Sequence, residues 1–281
     1  MIPAAFDYAR ADSLDDALAL LAEHGDDAKL LAGGHSLLPL MKLRLAAPAV
    51  LVDIGRLTDL SYIRDGGDHV AIGALTRHHQ LERSELLGSA VPILAHVAGL
   101  VGDPQVRHRG TIGGSLAHAD PASDLPAVVL ALDGTLVARG PEGDREIPAR
   151  QFFRGFLESA LDADEMLTEI RVPKMGGAGW SYQKFNRRAI DWAIVGVAAV
   201  HHGGAGTGVA LVNMGSTPLR ATAVEEALAG GAPAAEAAER AGDATEPPSD
   251  LNAGPDFRRH LARVLVRRAL DAAGRSVGAA G

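Results

Sequence analysis

The amino-acid sequence predicts an α+β fold: a small N-terminal α/β unit, a middle α+β unit, and a C-terminal three-stranded antiparallel sheet backed by helices. Three observations carry this expectation. Strand-like apolar runs alternate with helical periodicity over residues 1–57. Two hairpin signals and one long strand frame apolar helices over residues 58–175. Three successive strand-like runs then precede a helix-rich tail within residues 176–281.

In the first unit, Ser13 precedes the periodic run LDDALALLAEHG and Asp16 follows three positions on. This is the signature of an N-capped amphipathic helix over residues 14–24, ended by Gly25. AKLLAGG reads as a buried strand entering a glycine turn, SLLPLMKLRL has helical length, and VLVDI gives another strand. Pro39 falls in the first turn of that helix, where its missing N–H costs little.

The middle unit opens with YIRDGGDHVAIGALT, two alternating runs around a turn at residues 65–68, which signals a hairpin. Helices are expected from Thr76 to about Val101, followed by a loop, DPQVRHRGTIGGSLAHADPASD. LPAVVLALD is an apolar helix, GTLVARGPEGDREIPAR a second hairpin, and EMLTEIRVP a strand. In the third unit GWSYQKFNRR, DWAIVGVAAVHH and GVALVNMG supply the three strands. Helices are expected near residues 220–229, 232–241 and 255–273, and the final RSVGAAG is expected to fray.

Composition narrows the function. A chain of 281 residues with 47% hydrophobic and 22% charged residues belongs to the globular class and is long enough for two or three packed units. A net charge of −8, with basic residues clustered no further than pairs such as Arg187-Arg188, argues against a nucleic-acid partner. No apolar run approaches the length of a membrane span, and the first residues lack a basic-then-apolar leader pattern, so a cytoplasmic location is expected. The absence of cysteine removes disulfides, thiolate nucleophiles and four-cysteine cluster ligation. Any iron–sulfur cluster in the system must sit on another chain.

Two glycine-rich turns remain as carriers of chemistry. Ala32-Gly33-Gly34-His35-Ser36 lies between a strand and a helix, where glycines admit close backbone approach and free helix N–H groups favour an anion. Thr111-Ile112-Gly113-Gly114-Ser115 repeats the idea, and a second backbone nest there is expected to clasp the same phosphates. Each alone is a weak signal, since a Gly-Gly turn is more often a plain chain reversal. Neither is a G-x-G-x-x-G fingerprint with a following ribose-binding acid, which disfavours a Rossmann nicotinamide site. Residues 203–208, GGAGTG, join two strands with no helix behind them and read as a hairpin tip.

The stretches LLAGGHSLLPLMKLRLAAPAVLVDI and RGTIGGSLAHADPASDLPAVVLALDG, in that order, resemble the two flavin-binding signatures of the medium subunit of molybdenum hydroxylases, carbon monoxide dehydrogenase type. The resemblance continues through IPARQFF, MLTEIRVP and WSYQKFNRRAIDWAIVGVAA and fades after about residue 220. It implies a vanillyl-alcohol oxidase type of FAD-binding fold, with FAD in the cleft between the first two units and the C-terminal domain closing one side. By position it implies pyrophosphate-binding loops at Ala32, Gly33, Gly34, His35, Ser36 and at Thr111, Ile112, Gly113, Gly114, Ser115. It also implies flavin contacts at Asp124, Leu167 and Lys184. Trp192 stands where relatives often carry tyrosine, in a stretch that the resemblance places near the isoalloxazine ring, and the sequence leaves its contact open.

The same resemblance implies noncovalent FAD, a small subunit carrying 2Fe–2S clusters, a large subunit carrying the molybdenum cofactor, and a dimer of such heterotrimers. It implies an external acceptor such as a quinone and peripheral membrane association through the complex. No catalytic residue and no metal ligand is assigned to this chain, because flavin chemistry asks the protein only for binding, orientation and tuning.

Simpler roles stand beside these. His35 can serve only a local hydrogen bond, and the pairs His78-His79, His201-His202 and His118/Asp120 lack zinc spacing. Asp124 can cap the helix beginning at Leu125. Lys184 can be a solvent-facing charge on an alternating strand, and Trp192 can be core or interface packing. Aldehyde or N-heterocycle dehydrogenase subunits, a self-sufficient flavin oxidoreductase and an FAD-dependent scaffold are the functional alternatives.

Overall fold

The computed structural model describes residues 2–202 and 206–278. The first unit holds β1 (Asp7–Arg10), α1 (Leu14–His24), β2 (Ala28–Leu31), α2 (Leu37–Lys42) and β3 (Val50–Asp53). The strands form a parallel sheet in the order β1-β3-β2, with Leu31 level with Asp53. The chain therefore leaves β2 at the carboxyl edge of the sheet, where open α/β sheets bind ligands. The Ser13 hydroxyl accepts the Asp16 amide at 3.0 Å, and Gly25 ends α1 with φ +53°. Ala17 and Leu21 of α1 bury against Val50, Val52 and Ile54, and Leu75 and Met166 of the middle unit complete this core.

Two features differ from expectation. Strand β1 is unannounced because DYAR exposes three of its four residues and carries no apolar alternation; main-chain pairing with β3 forms it. Helix α2 stops at Lys42, since Arg44 takes a left-handed φ of +58° that no helix can contain.

The middle unit contains β4 (Ile63–Asp65), β5 (His69–Gly73), α3 (His78–Glu82), α4 (Glu85–Ala90), α5 (Pro92–Leu100), α6 (Pro104–Arg109), α7 (Ile112–His118) and α8 (Asp124–Ala131). It continues with β6 (Thr135–Gly140), β7 (Gly143–Pro148), α9 (Ala149–Phe152), β8 (Phe153–Gly155), β9 (Glu158–Ser159) and β10 (Met166–Pro173). Both expected hairpins form, and a five-stranded antiparallel sheet runs β4-β5-β10-β6-β7. The expected loop after Val101 is instead largely helical. The Asp103 side chain accepts the Val106 amide ahead of Pro104 and starts α6, and Thr111 caps α7 in the same way.

The C-terminal unit holds β11 (Trp180–Phe185), β12 (Val195–His201), β13 (Thr207–Val212), β14 (Leu219–Arg220), α10 (Thr222–Ala229), α11 (Ala234–Ala238) and α12 (Pro255–Gly278). The three expected strands are antiparallel neighbours, and β14 adds a short fourth. One face of this sheet, with Tyr182, Ala198, Val200, Ala210 and Val212, shares the core of the middle unit with α8. The other face, with Val195, Val197, Val209 and Leu211, packs on Leu261, Leu265 and Val266 of α12. A Cβ at Gly208 would stand 2.2 Å from the Ala131 carbonyl, so β13 lies directly on the end of α8. Residues 203–205 of the expected hairpin tip lie outside the described residues, as do residues 279–281 of the RSVGAAG tail. The backbone of α12 stays helical through Gly278, past the expected end at 273.

Candidate functional site

The first glycine loop, Ala32–Ser36, connects β2 to α2. Gly34 adopts φ +76°, a conformation L side chains rarely take, and this turns the chain so that the Leu38 amide can reach the Gly34 carbonyl at 3.1 Å. Among the described residues the amides of Gly33, Gly34, His35 and Ser36 meet no protein acceptor. Ser36 precedes α2 without spending its hydroxyl on a cap, and the His35 side chain is exposed. The loop thus presents unspent donors beside a helix start, which suits a diphosphate.

The second motif folds differently from the expected nest. Thr111 is the N-cap of α7, its hydroxyl accepting the Gly114 amide at 3.1 Å. The Ile112 amide donates to the Thr76 carbonyl, Gly113 to Ala74 and Ser115 to Thr111, at 2.9–3.0 Å. All four amides are consumed inside the protein. What remains towards solvent is the Cβ-free face of exposed Gly114 and the hydroxyl of half-buried Ser115. A Cβ on Gly114 would crowd only the Thr111 hydroxyl, whereas one on Gly113 would collide with Ala74.

The two motifs meet. A Cβ on Gly33 would stand 2.2 Å from the Arg109 carbonyl and 2.9 Å from the Gly110 Cα, so the first loop seats on the chain leading into the second. Gly110 in turn leaves no side chain because the His78 ring occupies that space, and the His78 amide donates to the Gly110 carbonyl at 3.0 Å. His78 is buried with its Nδ1 unpartnered. Burial, helped by the charges of Arg107 and His35, pulls its pKa from 6.5 down to about 4.

Asp124 and Lys184, from α8 and β11, are brought together across the junction of the middle and C-terminal units. The Asp124 carboxylate accepts Lys184 Nζ at 2.8 Å and the Tyr182 hydroxyl at 2.6 Å, with the pair's side chains only 8% and 10% exposed. Neither simple role holds: Asp124 makes no cap hydrogen bond, because Ser123 is the N-cap of α8, and Lys184 does not face solvent. Burial, the Asp124 charge and its hydrogen bond hold the Tyr182 pKa well above its ordinary value. Tyr182 escaped the sequence reading, although it shares the Lys184 side of β11 by strand alternation.

Leu167 is buried in β10 beside an irregularity in register, and its neighbour Thr168 accepts the Ala74 amide at 2.9 Å. Since Ala74 also receives Gly113, this strand abuts the start of α7. Trp192 is 60% exposed, which removes core packing as its role. It lines a cavity of about 580 Å³ with Asp120–Ala122, between the middle and C-terminal units.

A glycine loop at the carboxyl edge of a parallel sheet, seated against a capped helix from an antiparallel unit, defines a dinucleotide-binding α+β protein outside the Rossmann class. Residues 4–175 match the family described as FAD binding domain in molybdopterin dehydrogenase, and residues 180–273 match the CO dehydrogenase flavoprotein C-terminal domain. The chain belongs to this family of FAD-binding oxidoreductase subunits of molybdenum hydroxylases, carbon monoxide dehydrogenase type. It is 44% identical to the carbon monoxide dehydrogenase medium chain of Hydrogenophaga pseudoflava, covering 97% of this chain and 98% of that one. The solved carbon monoxide dehydrogenase from H. pseudoflava lacking the Mo-pyranopterin moiety superposes with a TM-score of 0.95 at 44% identity, over 98% of this chain and 99% of its counterpart. Quinoline 2-oxidoreductase from Pseudomonas putida 86 superposes with a TM-score of 0.90 at 32% identity, over 99% of this chain and all of its counterpart.

Proposed function

We propose that this chain is the flavin subunit of an aerobic carbon monoxide dehydrogenase and holds FAD noncovalently where the Ala32–Ser36 loop meets the start of α7. The observation that carries this reading is the set of unspent amides at Gly33–Ser36 lying against the Arg109–Gly110 backbone. The loop amides and the Ser36 hydroxyl bind the diphosphate, while Thr111–Ser115 supply a flat wall that a side chain at Gly114 would fill. In this reading residues 1–57 and 58–175 grip the dinucleotide, residues 176–281 close one side, and Asp124, Leu167 and Lys184 contact the cofactor. The Asp124–Lys184 pair fixes the third unit on the second, and removing one partner leaves a buried charge, a lesion of about 3–5 kcal/mol.

When bound, FAD accepts one or two electrons and hands them on. A sequence without cysteine cannot ligate a four-cysteine cluster; in this reading, as membership of the family implies, 2Fe–2S clusters sit on a small subunit and the molybdenum cofactor on a large one, in a dimer of heterotrimers. In this reading the acceptor would be external, such as a quinone, and the complex would be cytoplasmic with peripheral membrane association. Among the described residues no helix is long and apolar enough to cross a membrane.

The likeness to quinoline 2-oxidoreductase supports a second reading, the same role beside a large subunit specific for an N-heterocycle, with an aldehyde-specific large subunit as the further alternative. The three subunits purified together decide between them: carbon monoxide, but not quinoline or an aldehyde, should bleach the flavin absorbance. Acid precipitation should release all yellow colour. Bleaching of the isolated chain by any of these substrates, as fast as in the whole complex, would overturn the subunit role in favour of a self-sufficient oxidoreductase.

A further inference from the structure

The cavity beside Trp192 has a built wall and an uncompensated charge. Arg258 of α12 is fully buried; it donates to the Ile194 carbonyl and, at 2.7 Å, to Asp250, whose other oxygen receives the Asn252 and Ala253 amides. This clamp ties the Trp192–Ile194 segment, the 250–253 turn and α12 into one rigid rim and neutralises Asp250. The other two carboxylates that line the cavity are not neutralised. Asp120 accepts only the Ala122 amide, and Glu246 has no partner among the described residues. An acidic hollow walled by an indole and by Phe156 is electrostatically matched to a guanidinium, which stacks on aromatic faces and bridges carboxylates.

The surroundings select a protein as the bearer of that guanidinium. Phe156 and Trp192 line the cavity with 67% and 60% exposure. Two exposed aromatic side chains thus wall one acidic hollow, the anatomy of an interface with a central anchor. The floor of the hollow, Asp120–Ala122, lies in sequence between the Thr111–Ser115 wall and Asp124, so a partner seated here stands beside the proposed flavin site.

We propose that the hollow formed by Asp120, Glu246, Phe156 and Trp192 is the socket for an arginine side chain of the electron-donating iron–sulfur subunit. The inference rests on the flavin-subunit reading given above. The test uses the complete three-subunit complex, purified through a tag on this chain, with iron, molybdenum and flavin measured together. Glu246→Lys and Phe156→Asp alter exposed side chains and should leave flavin content intact while lowering the iron-to-flavin ratio about thirtyfold or more. Glu236→Lys, a charge reversal on α11, should leave the ratio unchanged. An arginine-to-glutamate substitution on the small subunit should restore binding to the Glu246→Lys variant.

Full iron retention in both socket variants would overturn the proposal. So would loss of molybdenum with iron retained, loss of flavin, or a set of small-subunit arginine substitutions none of which rescues. A wild-type chain that carries flavin but never recovers iron or molybdenum would instead bring down the flavin-subunit reading itself.

Discussion

The two Gly-Gly motifs look alike in sequence and do opposite things with their backbones. Among the described residues loop Ala32–Ser36 keeps the Gly33–Ser36 amides free and uses a left-handed glycine to aim the chain, whereas the second motif spends the Ile112, Gly113, Gly114 and Ser115 amides on Thr76, Ala74 and its own cap. In the first, glycine leaves donors free, the surface proposed to bind the diphosphate. In the second, Gly113 permits contact with Ala74, and only Gly114 faces outward. Small-residue composition therefore reports close backbone approach without saying whether the approaching group is a ligand or another strand.

The largest effect should come from Gly33→Val, because the new Cβ falls on the Arg109 carbonyl, a backbone atom that cannot rotate aside. Overpacking of this kind costs about 3 kcal/mol. We expect a lowered thermal midpoint of the flavin-free protein together with complete flavin loss. Gly114→Val meets only the Thr111 hydroxyl, so the same measurements should show flavin loss with a midpoint shift worth about 1 kcal/mol or less. Equal destabilisation by the two variants would erase the distinction between seat and wall.

The seat also carries a pH dependence that the loop lacks. His78 fills the space beside Gly110 and is held at about 4 against an ordinary 6.5. The folded state thus favours the neutral ring, and the unfolded chain takes up a proton first as pH falls. The seat is fully stable above pH 6.5 and loses about 3 kcal/mol as pH falls to about 4. Melting temperatures of wild type and His78→Phe, followed between these limits, should converge as pH falls. A constant difference would show that His78 titrates normally and that the space beside Gly110 is open to water.

Local signals were legible where a short segment decides its own structure. The Ser13 cap, the Gly25 stop and the Asp65–Asp68 turn form as read, the last with Gly67 at φ +91° and its amide on the Asp65 carboxylate. Helices α6 and α7 were hidden because glycine, proline and histidine suggest a loop, although the Asp103-Pro104 and Thr111 caps were present in the sequence. The Asp124–Lys184 pair joins residues 60 apart across two units, and no local pattern encodes such a meeting. Tyr182 could be reached only once Lys184 was placed on its strand. The seat of Gly33 on Arg109 is likewise a long-range event, written in the sequence only as a glycine whose reason lies elsewhere.

The finest test of the comparison uses the two hydroxyls, since each loop offers one beside a helix start. Thr111 spends its oxygen on the Gly114 amide, so Thr111→Ala removes a cap worth about 1 kcal/mol and should lower the melting point of the flavin-free protein by about 2–4 °C. Ser36 makes no such bond, and Ser36→Ala should leave that melting point within about 0.5 kcal/mol of wild type. Flavin affinity should respond in the opposite order. In the proposed site the free Ser36 hydroxyl donates to the charged diphosphate, and its loss should weaken FAD binding about tenfold. Thr111 has already committed its oxygen, and its removal should weaken binding by less, through a slackened Gly114 wall. Equilibrium titration of the two apoproteins with FAD, beside their melting curves, gives four numbers that must cross. If Ser36→Ala destabilises the apoprotein while Thr111→Ala is the variant that releases flavin, the assignment of donor loop and supporting wall is reversed.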